Sequence, residues 1–246
     1  MTASSGGMGL SLAHTLASEG ANIVLLARGA GRLEAAAADV EREHGVVVHA
    51  VAGSMRDPEA ASRLATVLEP LRGPDILVLV TGRPPTPLRD TVAETDLARW
   101  RAAYENQLEG AINVVNGVLP LMRSLQHGRI VAITSAHAKS PVRGHALSSV
   151  FRAGVTAYLK SLSTEVAPDG ITVNCVAPAL IDTSHRTGQA AYTAAQTEHR
   201  RTLTPLGRMG TQEELAAVVA FLCSRQAGFL TGSTVTVDGG MSTSLF

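Results

Sequence analysis

The chain has 246 residues, 45% of them hydrophobic and 17% charged, and its 21 basic residues balance 21 acidic ones. That balance argues against a nucleic-acid-binding surface, which needs an excess of positive charge. There is no run of 18 apolar residues and no charged segment followed by an apolar leader, so we expect a cytoplasmic protein without a membrane span or signal peptide. The two cysteines, Cys175 and Cys223, do not have disulfide-framework or metal-ligand spacing, and we expect no metal.

Nearly continuous apolar runs alternate with longer helical patterns, which predicts an α/β fold with a doubly wound parallel sheet in a single domain over residues 1–246. In chain order the predicted strands are Ala21–Ala27, Val46–Ala52, Ile76–Val80, Arg129–Thr134, Thr172–Ala177 and Thr234–Val237. The predicted helices are Met8–Glu19, Arg32–His44, Pro58–Leu71, Leu97–Leu125, Leu147–Val166 and Thr211–Cys223. We interpret Arg83–Pro87 as a Pro-rich loop and His185–Arg201 as a mobile loop with a short helix over a ligand site.

The beginning of the predicted sheet is irregular. A Gly-rich turn at Thr2–Gly9 leads into the first helix, yet no strand precedes it. In a Rossmann-like sheet that strand lies in the middle, and without it two neighbouring strands would leave backbone groups unpaired in the core. Either the start is assigned too late, or the sheet closes differently, or another chain fills the gap. We favour the late start.

Four segments carry a family resemblance that spans most of the chain. Thr2–Gly9 resembles the TGxxxGxG turn of the short-chain dehydrogenases/reductases, and Thr172–Ala179 resembles their VNxVxPG segment. Pro205–Gly210 and Val237–Gly240 resemble the PLGRxG and VDGG segments nearer the C-terminus. The resemblance implies a Rossmann fold, a nicotinamide dinucleotide, hydride transfer between ketones and alcohols, and an oligomer.

The resemblance also places the cofactor. NAD-type members carry an acid at the end of the second strand, whereas this chain has Arg28, whose guanidinium could pair with a 2′-phosphate. We therefore expect NADP(H) as the cofactor. Its binding is weak or lost if the family's cofactor contacts that are altered in this chain no longer hold it. The expected cofactor-binding residues are Thr2, Ser4, Gly7, Gly9, Arg28, Ser54, Arg152, Pro178, Ile181 and Thr183.

The catalytic positions match the family poorly. Ser135 stands at the position of the Ser that orients the carbonyl, but the expected Tyr is Ser148 and the expected Lys is Arg152. The position of the Asn that relays protons is Gln107, directly after Asn106. An aliphatic hydroxyl is a far weaker acid than a phenol and reaches less far, so the chain lacks the usual proton donor. His137 and His145 are candidate substitutes, although histidines of the pocket wall are the favoured interpretation.

The chain also resembles a branch of the family that has Ser and Arg in place of the Tyr and Lys. It is similar, too, to the two-component reductases of antibiotic biosynthesis, in which an active chain pairs with a non-catalytic one. Three hypotheses follow. The favoured one is an oligomeric subunit with a degenerate site, in secondary metabolism, that assembles with itself or an active homologue. The second is an autonomous NADPH-dependent ketoreductase with a non-standard site, and the third is a non-enzymatic NADP(H) sensor. We expect a carbonyl or alcohol substrate, which in one alternative is bound to a carrier as a thioester. We expect assembly through the helices Leu97–Leu125 and Leu147–Val166.

Overall fold

A computed structural model describes residues 1–183 and 193–245. Its strands are β1 (Ile23–Ala27), β2 (Val48–Ala52), β3 (Ile76–Val80), β4 (Gly128–Ile133), β5 (Ile171–Pro178) and β6 (Thr234–Val237). Every paired strand is parallel, in one group of order β1-β2 and another of order β3-β4-β5-β6. All six predicted strands are confirmed. Because Val80 pairs with Ile133, and Ile133 with Val176, the carboxyl ends of the central strands meet at one edge.

The predicted helices are also confirmed, with one change. They are α1 (Gly7–Ser18), α2 (Ala30–His44), α3 (Pro58–Leu68), α4 (Leu97–Tyr104), α5 (Gly110–Leu125), α6 (Ala136–Lys139), α7 (Ala146–Val166), α8 (Ala194–Thr202) and α9 (Gln212–Cys223). The predicted helix over Leu97–Leu125 is interrupted by a π-helical turn at Glu105–Glu109. Residues 184–192, and with them the first eight residues of the predicted loop His185–Arg201, lie outside the described residues. Among the described residues, no helix is long and apolar enough to cross a membrane.

Two apolar layers cover the sheet. On one face, α1, α2 and α9 pack against strand residues such as Leu25 and Val78. On the other face, α3, α5 and α7 pack against Leu77 and Leu79, which lie on either side of Val78 along β3. Burial on both faces explains why the strands appear in the sequence as continuous runs of Val, Ile and Leu. This arrangement is a doubly wound, Rossmann-like sheet.

Met1 and Thr2 occupy the gap between β1 and β3. The Met1 nitrogen donates to the Val24 carbonyl at 2.6 Å, and the Leu26 N–H donates to the Met1 carbonyl at 2.8 Å. On the other side, the Thr2 N–H donates to the Val78 carbonyl, and the Val80 N–H donates to the Thr2 hydroxyl oxygen at 2.8 Å. The two strand groups are therefore bridged near their carboxyl ends, where the Thr2 hydroxyl accepts the hydrogen bond that a strand carbonyl would otherwise accept.

Candidate functional site

A cavity of about 840 Å³ opens at the carboxyl edge of the sheet. This is where open α/β sheets bind their ligands, and the volume is that of a typical small-molecule site. Its walls come from the Gly-rich turn, the ends of β1, β3, β4 and β5, and the Pro-rich loop. Of the predicted site residues, the cavity is lined by Gly7, Gly9, Arg28, Ser54, Ser135, Arg152, Pro178 and Thr183.

The Gly-rich turn leads into α1 with its backbone close to the preceding loop. Gly7 adopts a positive φ of 56°. A Cβ on Gly9 would lie 2.5 Å from the Ala3 carbonyl oxygen, so only glycine fits there. Gly6, the N-cap of α1, provides no side-chain cap. The first turn of α1 lines the cavity, and the N–H groups that a helix leaves unpaired at its N-terminus suit a pyrophosphate there.

Positive charge dominates the cavity wall. Five arginines line it, and none of the lining residues that the structure describes is Asp or Glu. Arg56 pairs with Glu105, which does not line the cavity. The lining arginines are Arg28, Arg32, Arg56, Arg83 and Arg152. Such a wall favours a ligand with several negative charges, and exposed Arg28 at the end of β1 has the fork geometry that suits a 2′-phosphate. The residues present fit an anionic dinucleotide.

Arg152 is held by the protein itself. Its Nε donates to the Ser148 hydroxyl oxygen at 3.1 Å, and its terminal nitrogens donate to the Thr81 hydroxyl, the Thr134 carbonyl and the Gly82 carbonyl at 2.9, 2.8 and 3.3 Å. All four acceptors are uncharged. Burial, helped by the charge of Arg83, lowers the pKa of Arg152 to about 10, so the side chain stays cationic at neutral pH.

Ser148 does not line the cavity, although Ser135 does. Ser148 is buried on α7, and its oxygen accepts the hydrogen bond from Arg152. Ser135 follows the end of β4 and caps the short helix α6, where its oxygen accepts from the His137 N–H at 3.2 Å. The structure therefore brings a hydroxyl and a cation to the cavity and leaves the position of the expected phenol in the interior.

The π-helical turn changes which amide reaches the cavity. Gln107 is fully buried, and neither its side-chain oxygen nor its nitrogen has a hydrogen-bond partner within the described part of the chain. Asn106 lines the cavity instead, and its carbonyl accepts from the Gly82 N–H at 3.2 Å. An extra residue in one helical turn rotates the side chains around it, and such turns are frequent at functional sites.

His137 and His145 stack edge to face beside the site, with ring centroids 4.5 Å apart, but neither lines the cavity. Burial is the main cause that lowers the pKa of His137 to about 4, and the nearby His145 and Arg152 add to it. His137 is therefore neutral near pH 7 and a poor acid. The His145 Nδ1 lies 3.1 Å from the Arg143 carbonyl, which can only accept, so this hydrogen bond forms in the tautomer with the proton on Nδ1.

Three predicted cofactor residues lie away from the cavity wall. Thr2 and Ser4 are buried, Thr2 between β1 and β3 and Ser4 with its hydroxyl against the Met1 and Leu26 carbonyls. Ile181 makes a parallel bridge with Gly210 and lines a separate, smaller pocket. These side chains shape the turns that carry the wall.

Arg99 anchors the Pro-rich loop that forms part of the cavity wall. Its guanidinium pairs with the buried carboxylate of Glu94 through Nε at 2.6 Å, and it donates to the Pro87 carbonyl at 2.7 Å. Longer hydrogen bonds reach the Pro85 and Thr86 carbonyls. The Arg99 guanidinium also holds the pKa of Glu94 below its usual value.

Four charged or amide side chains of the cavity wall were not predicted as site residues: Arg32, Arg56, Arg83 and Asn106. Arg32 lies one turn from Arg28 at the start of α2, which is a signal that spacing alone could have given. Arg56 and Arg83 follow β2 and β3, where strand ends of one sheet meet. The selection of Asn106 over Gln107 depends on the π-helical turn, for which the sequence gives no sign.

Comparisons with known proteins agree with this geometry. Residues 2–242 match the family model described as enoyl-(acyl carrier protein) reductase. The chain is 32% identical over 243 residues to the 3-oxoacyl-[acyl-carrier-protein] reductase of Aquifex aeolicus, covering 98% of this chain and 95% of the relative.

Solved structures share the whole fold. The L-sorbose reductase of Gluconobacter frateurii, complexed with NADPH and L-sorbose, superposes with a TM-score of 0.91 and 32% identity, covering 100% of this chain and 96% of that one. An actinorhodin polyketide ketoreductase with NADPH gives a TM-score of 0.89 and 29% identity, covering 99% and 96%. The chain belongs to the short-chain dehydrogenase/reductase family.

Proposed function

We propose that this chain is an NADP(H)-binding subunit of a ketone/alcohol oxidoreductase whose own proton-transfer site is degenerate. One observation carries the proposal: the four hydrogen bonds of Arg152 end on the protein's own oxygens, one of them the Ser148 hydroxyl. Arg152 stands where the family's Lys lowers the pKa of a phenol, but here its side chain holds α7 against the ends of β3 and β4. Among the lining residues that the structure describes there is no tyrosine, and Ser148 itself is buried behind the wall.

The cofactor proposal depends on charge and on the Gly-rich turn. NADP(H), when bound, supplies or accepts the hydride. The N-terminus of α1 and the turn at Gly7 and Gly9 would hold the pyrophosphate, and Arg28 with Arg32 would hold the 2′-phosphate. Pro178 and Thr183 also line the cavity and would position the nicotinamide. The relatives that were solved with NADPH support this assignment.

The chain's own chemistry is limited to binding and orientation. Ser135 accepts from the His137 N–H, which leaves its own O–H to donate to a carbonyl oxygen. The lining residues that the structure describes include no Tyr, His, Lys, Asp, Glu or Cys. Arg152 is held by four hydrogen bonds to the protein's own oxygens, so it does not replace the phenol as general acid. Loss of a positioned general acid typically costs about 10²–10⁴-fold in rate. We therefore propose that water is the proton source and that turnover is slow.

The substrate proposal is a ketone or secondary alcohol, and the relative that acts on 3-oxoacyl-[acyl-carrier-protein] favours a carrier-bound 3-oxo thioester. The likeness to a polyketide ketoreductase supports a place in secondary metabolism. A degenerate chain would contribute to catalysis as part of an oligomer with an active homologue. Aromatic and apolar side chains on α4 and α7 remain exposed enough to form such a contact.

A second candidate is an autonomous ketoreductase that uses this site as it stands. Ser135 and the cation of Arg152 both line the cavity, and a fixed positive charge stabilises developing negative charge on oxygen. In that case Arg152 acts as the electrostatic group and water provides the proton.

The deciding experiment purifies the chain alone and together with an active homologue from the same gene neighbourhood. Calorimetry with NADPH and NADH measures binding, and NADPH oxidation is followed with a 3-oxoacyl pantetheine thioester and with a ketose. We expect NADPH binding, and turnover of the chain alone at least about 100-fold below a Tyr/Lys family member. Turnover of the isolated chain at about 1–10 s⁻¹, ordinary enzyme rates, would establish the second candidate. Failure to bind either nucleotide would remove both.

A further inference from the structure

Two histidines and a carboxylate meet where α1 packs against the last turn of α2, away from the dinucleotide cavity. His14 on α1 is buried, His44 ends α2 with its side chain mostly buried, and Glu43 is half exposed. We propose that His14, Glu43 and His44 form a binding site for a divalent transition-metal ion. The proposal does not depend on the proposed function.

The ligand atoms lie close enough to share one ion, because all of them are within 4.8 Å of one another. The His14 Nδ1 lies 3.0 Å from the His44 Nε2 and 3.1 Å from one oxygen of Glu43. The other Glu43 oxygen lies 3.7 Å from the His44 Nε2. Tetrahedral zinc with ligand bonds of about 2.0–2.1 Å separates its ligand atoms by roughly 3.3 Å. One ion can therefore contact all three side chains with small rotamer adjustments, and its fourth position would take a water on the exposed side of Glu43.

Neighbouring groups support the ion. The second nitrogen of His14, Nε2, lies 3.5 Å from a carboxylate oxygen of Asp39. A carboxylate behind a ligating imidazole fixes its ring orientation and tautomer, which is the usual second layer of a histidine metal site. The site also lies at the C-terminal end of α2, where the helix carbonyls favour a cation.

The donor set selects the class of metal. Two imidazoles and one carboxylate suit Zn²⁺ and its neighbours in the first transition row, whereas Mg²⁺ and Ca²⁺ prefer all-oxygen sites. Because the ligands come from two helices, the ion would join α1 to α2. These helices flank β1 and begin at Gly7 and Ala30, beside the dinucleotide cavity. The ion is structural in this proposal and contributes to the stability of the fold.

The test uses the full chain after dialysis against a chelator. Zn²⁺ is titrated by calorimetry and by thermal unfolding, and Co²⁺ absorption in the visible range reports tetrahedral nitrogen and oxygen ligands. We expect one Zn²⁺ per chain and a higher Tm with the ion. His44→Gln and Glu43→Gln should each weaken binding by about 100-fold or more, and Asp39→Asn by about 10–100-fold. His127→Gln, which removes an imidazole outside the cluster, should leave binding unchanged.

Circular dichroism shows whether each variant is folded. If the variants of the more buried histidines do not fold, Glu43→Gln, at a half-exposed position, still tests the site. Absence of Zn²⁺ binding would overturn the proposal and leave a hydrogen-bonded histidine pair. Equal binding by the native chain, His44→Gln and Glu43→Gln would also overturn it, because the ion would then lie elsewhere.

Discussion

The Nε of Arg152 donates to the hydroxyl oxygen of Ser148 at 3.1 Å, between two side chains one turn apart on α7. The same guanidinium reaches the ends of β3 and β4 through Thr81 and Thr134. Arg152 thus links the helix to two strands at the position where the family has a catalytic Lys. Lys carries one ammonium and could not replace this fork of contacts in the same geometry.

Restoring the family pair should restore proton transfer. We expect Ser148→Tyr with Arg152→Lys to raise the turnover of the isolated chain by at least about 100-fold, because a phenol near a lysine supplies the missing acid. Ser148→Tyr alone should gain less, since the Arg152 guanidinium is held by the strand-end oxygens and does not place a cation beside the phenol in the geometry of a Lys. Steady-state NADPH oxidation measures each rate.

Ser161→Tyr adds the same phenol at an exposed position on the same helix and should have no effect. If the double variant is folded, binds NADPH and is no faster than the native chain, then proton donation is not what limits it, and the degenerate-site proposal loses its basis.

The sequence predicted the strands well because strands buried on both faces leave short runs rich in Val, Ile and Leu, such as Ile76–Val80, whose length and flanking loop residues favour a strand. It could not predict the break in Leu97–Leu125, because a π-helical turn needs no Gly or Pro. The two helices predicted to form the contact, Leu97–Leu125 and Leu147–Val166, also carry Val115 and Val155, which the structure buries inside this chain. An apolar stripe shows that a helix face is covered but does not show by what.

The site was only partly accessible from the sequence. Motif spacing located Gly7, Gly9, Arg28 and Ser135, which all line the cavity. The contacts of Arg152 depend on how α7 packs over two strand ends, and the meeting of His14 with His44 joins residues 30 apart. Neither relationship leaves a local pattern, since both arise from packing between elements that are distant in sequence.

Arg28 should set the cofactor preference. We expect NADPH to bind more tightly than NADH, and Arg28→Asp to reduce NADPH affinity by about tenfold or more while leaving NADH affinity less changed, because a carboxylate repels the 2′-phosphate. Calorimetry measures both affinities. Arg225→Asp makes the same charge change at an exposed position outside the cavity and should leave the ratio intact. Equal affinity of the native chain for the two nucleotides would contradict the role of Arg28.

His137 should make the fold sensitive to mild acid. Its pKa is about 4 in the folded chain against 6.5 as the ordinary value, so the unfolded chain binds the proton more readily. The free energy of unfolding should therefore fall as the pH decreases from about 6.5 to about 4. Urea unfolding across this range measures the slope. His137→Phe should make the free energy of unfolding depend less on pH, and His127→Gln should not. An unchanged pH dependence in His137→Phe would show that another group causes it.

The Arg99–Glu94 pair should hold the Pro-rich wall of the cavity. We expect Arg99→Met to weaken NADPH binding by roughly threefold to tenfold, because the Pro85, Thr86 and Pro87 carbonyls lose their donor. Arg101→Met removes an exposed guanidinium from the same helix and is the control. Since the pKa of Glu94 lies below its usual 4.5, its contribution to stability is present above that pH and is lost as the pH falls below it. Unchanged NADPH affinity in Arg99→Met would contradict this role for the loop.

Assembly should depend on the outer faces of α4 and α7. Val150 on α7 is 49% exposed and Tyr104 on α4 is 39% exposed, and Phe151 packs edge to face on Tyr104 and Trp100 between them. We expect a dimer or tetramer through this patch, formed by copies of the chain or with an active homologue, because a clustered apolar surface of this kind usually meets a partner.

Light scattering of the native chain at micromolar concentration, alone and with the homologue, measures the assembly. Val150→Asp should shift it toward smaller species, because a carboxylate in the middle of the contact would be buried without a counterion. Val92→Asp makes the same change at a site that is 89% exposed and lies on neither helix, and it should leave the mass unchanged. A monodisperse native monomer under both conditions would show that neither helix is an interface, and the hetero-oligomer proposal would fail with it.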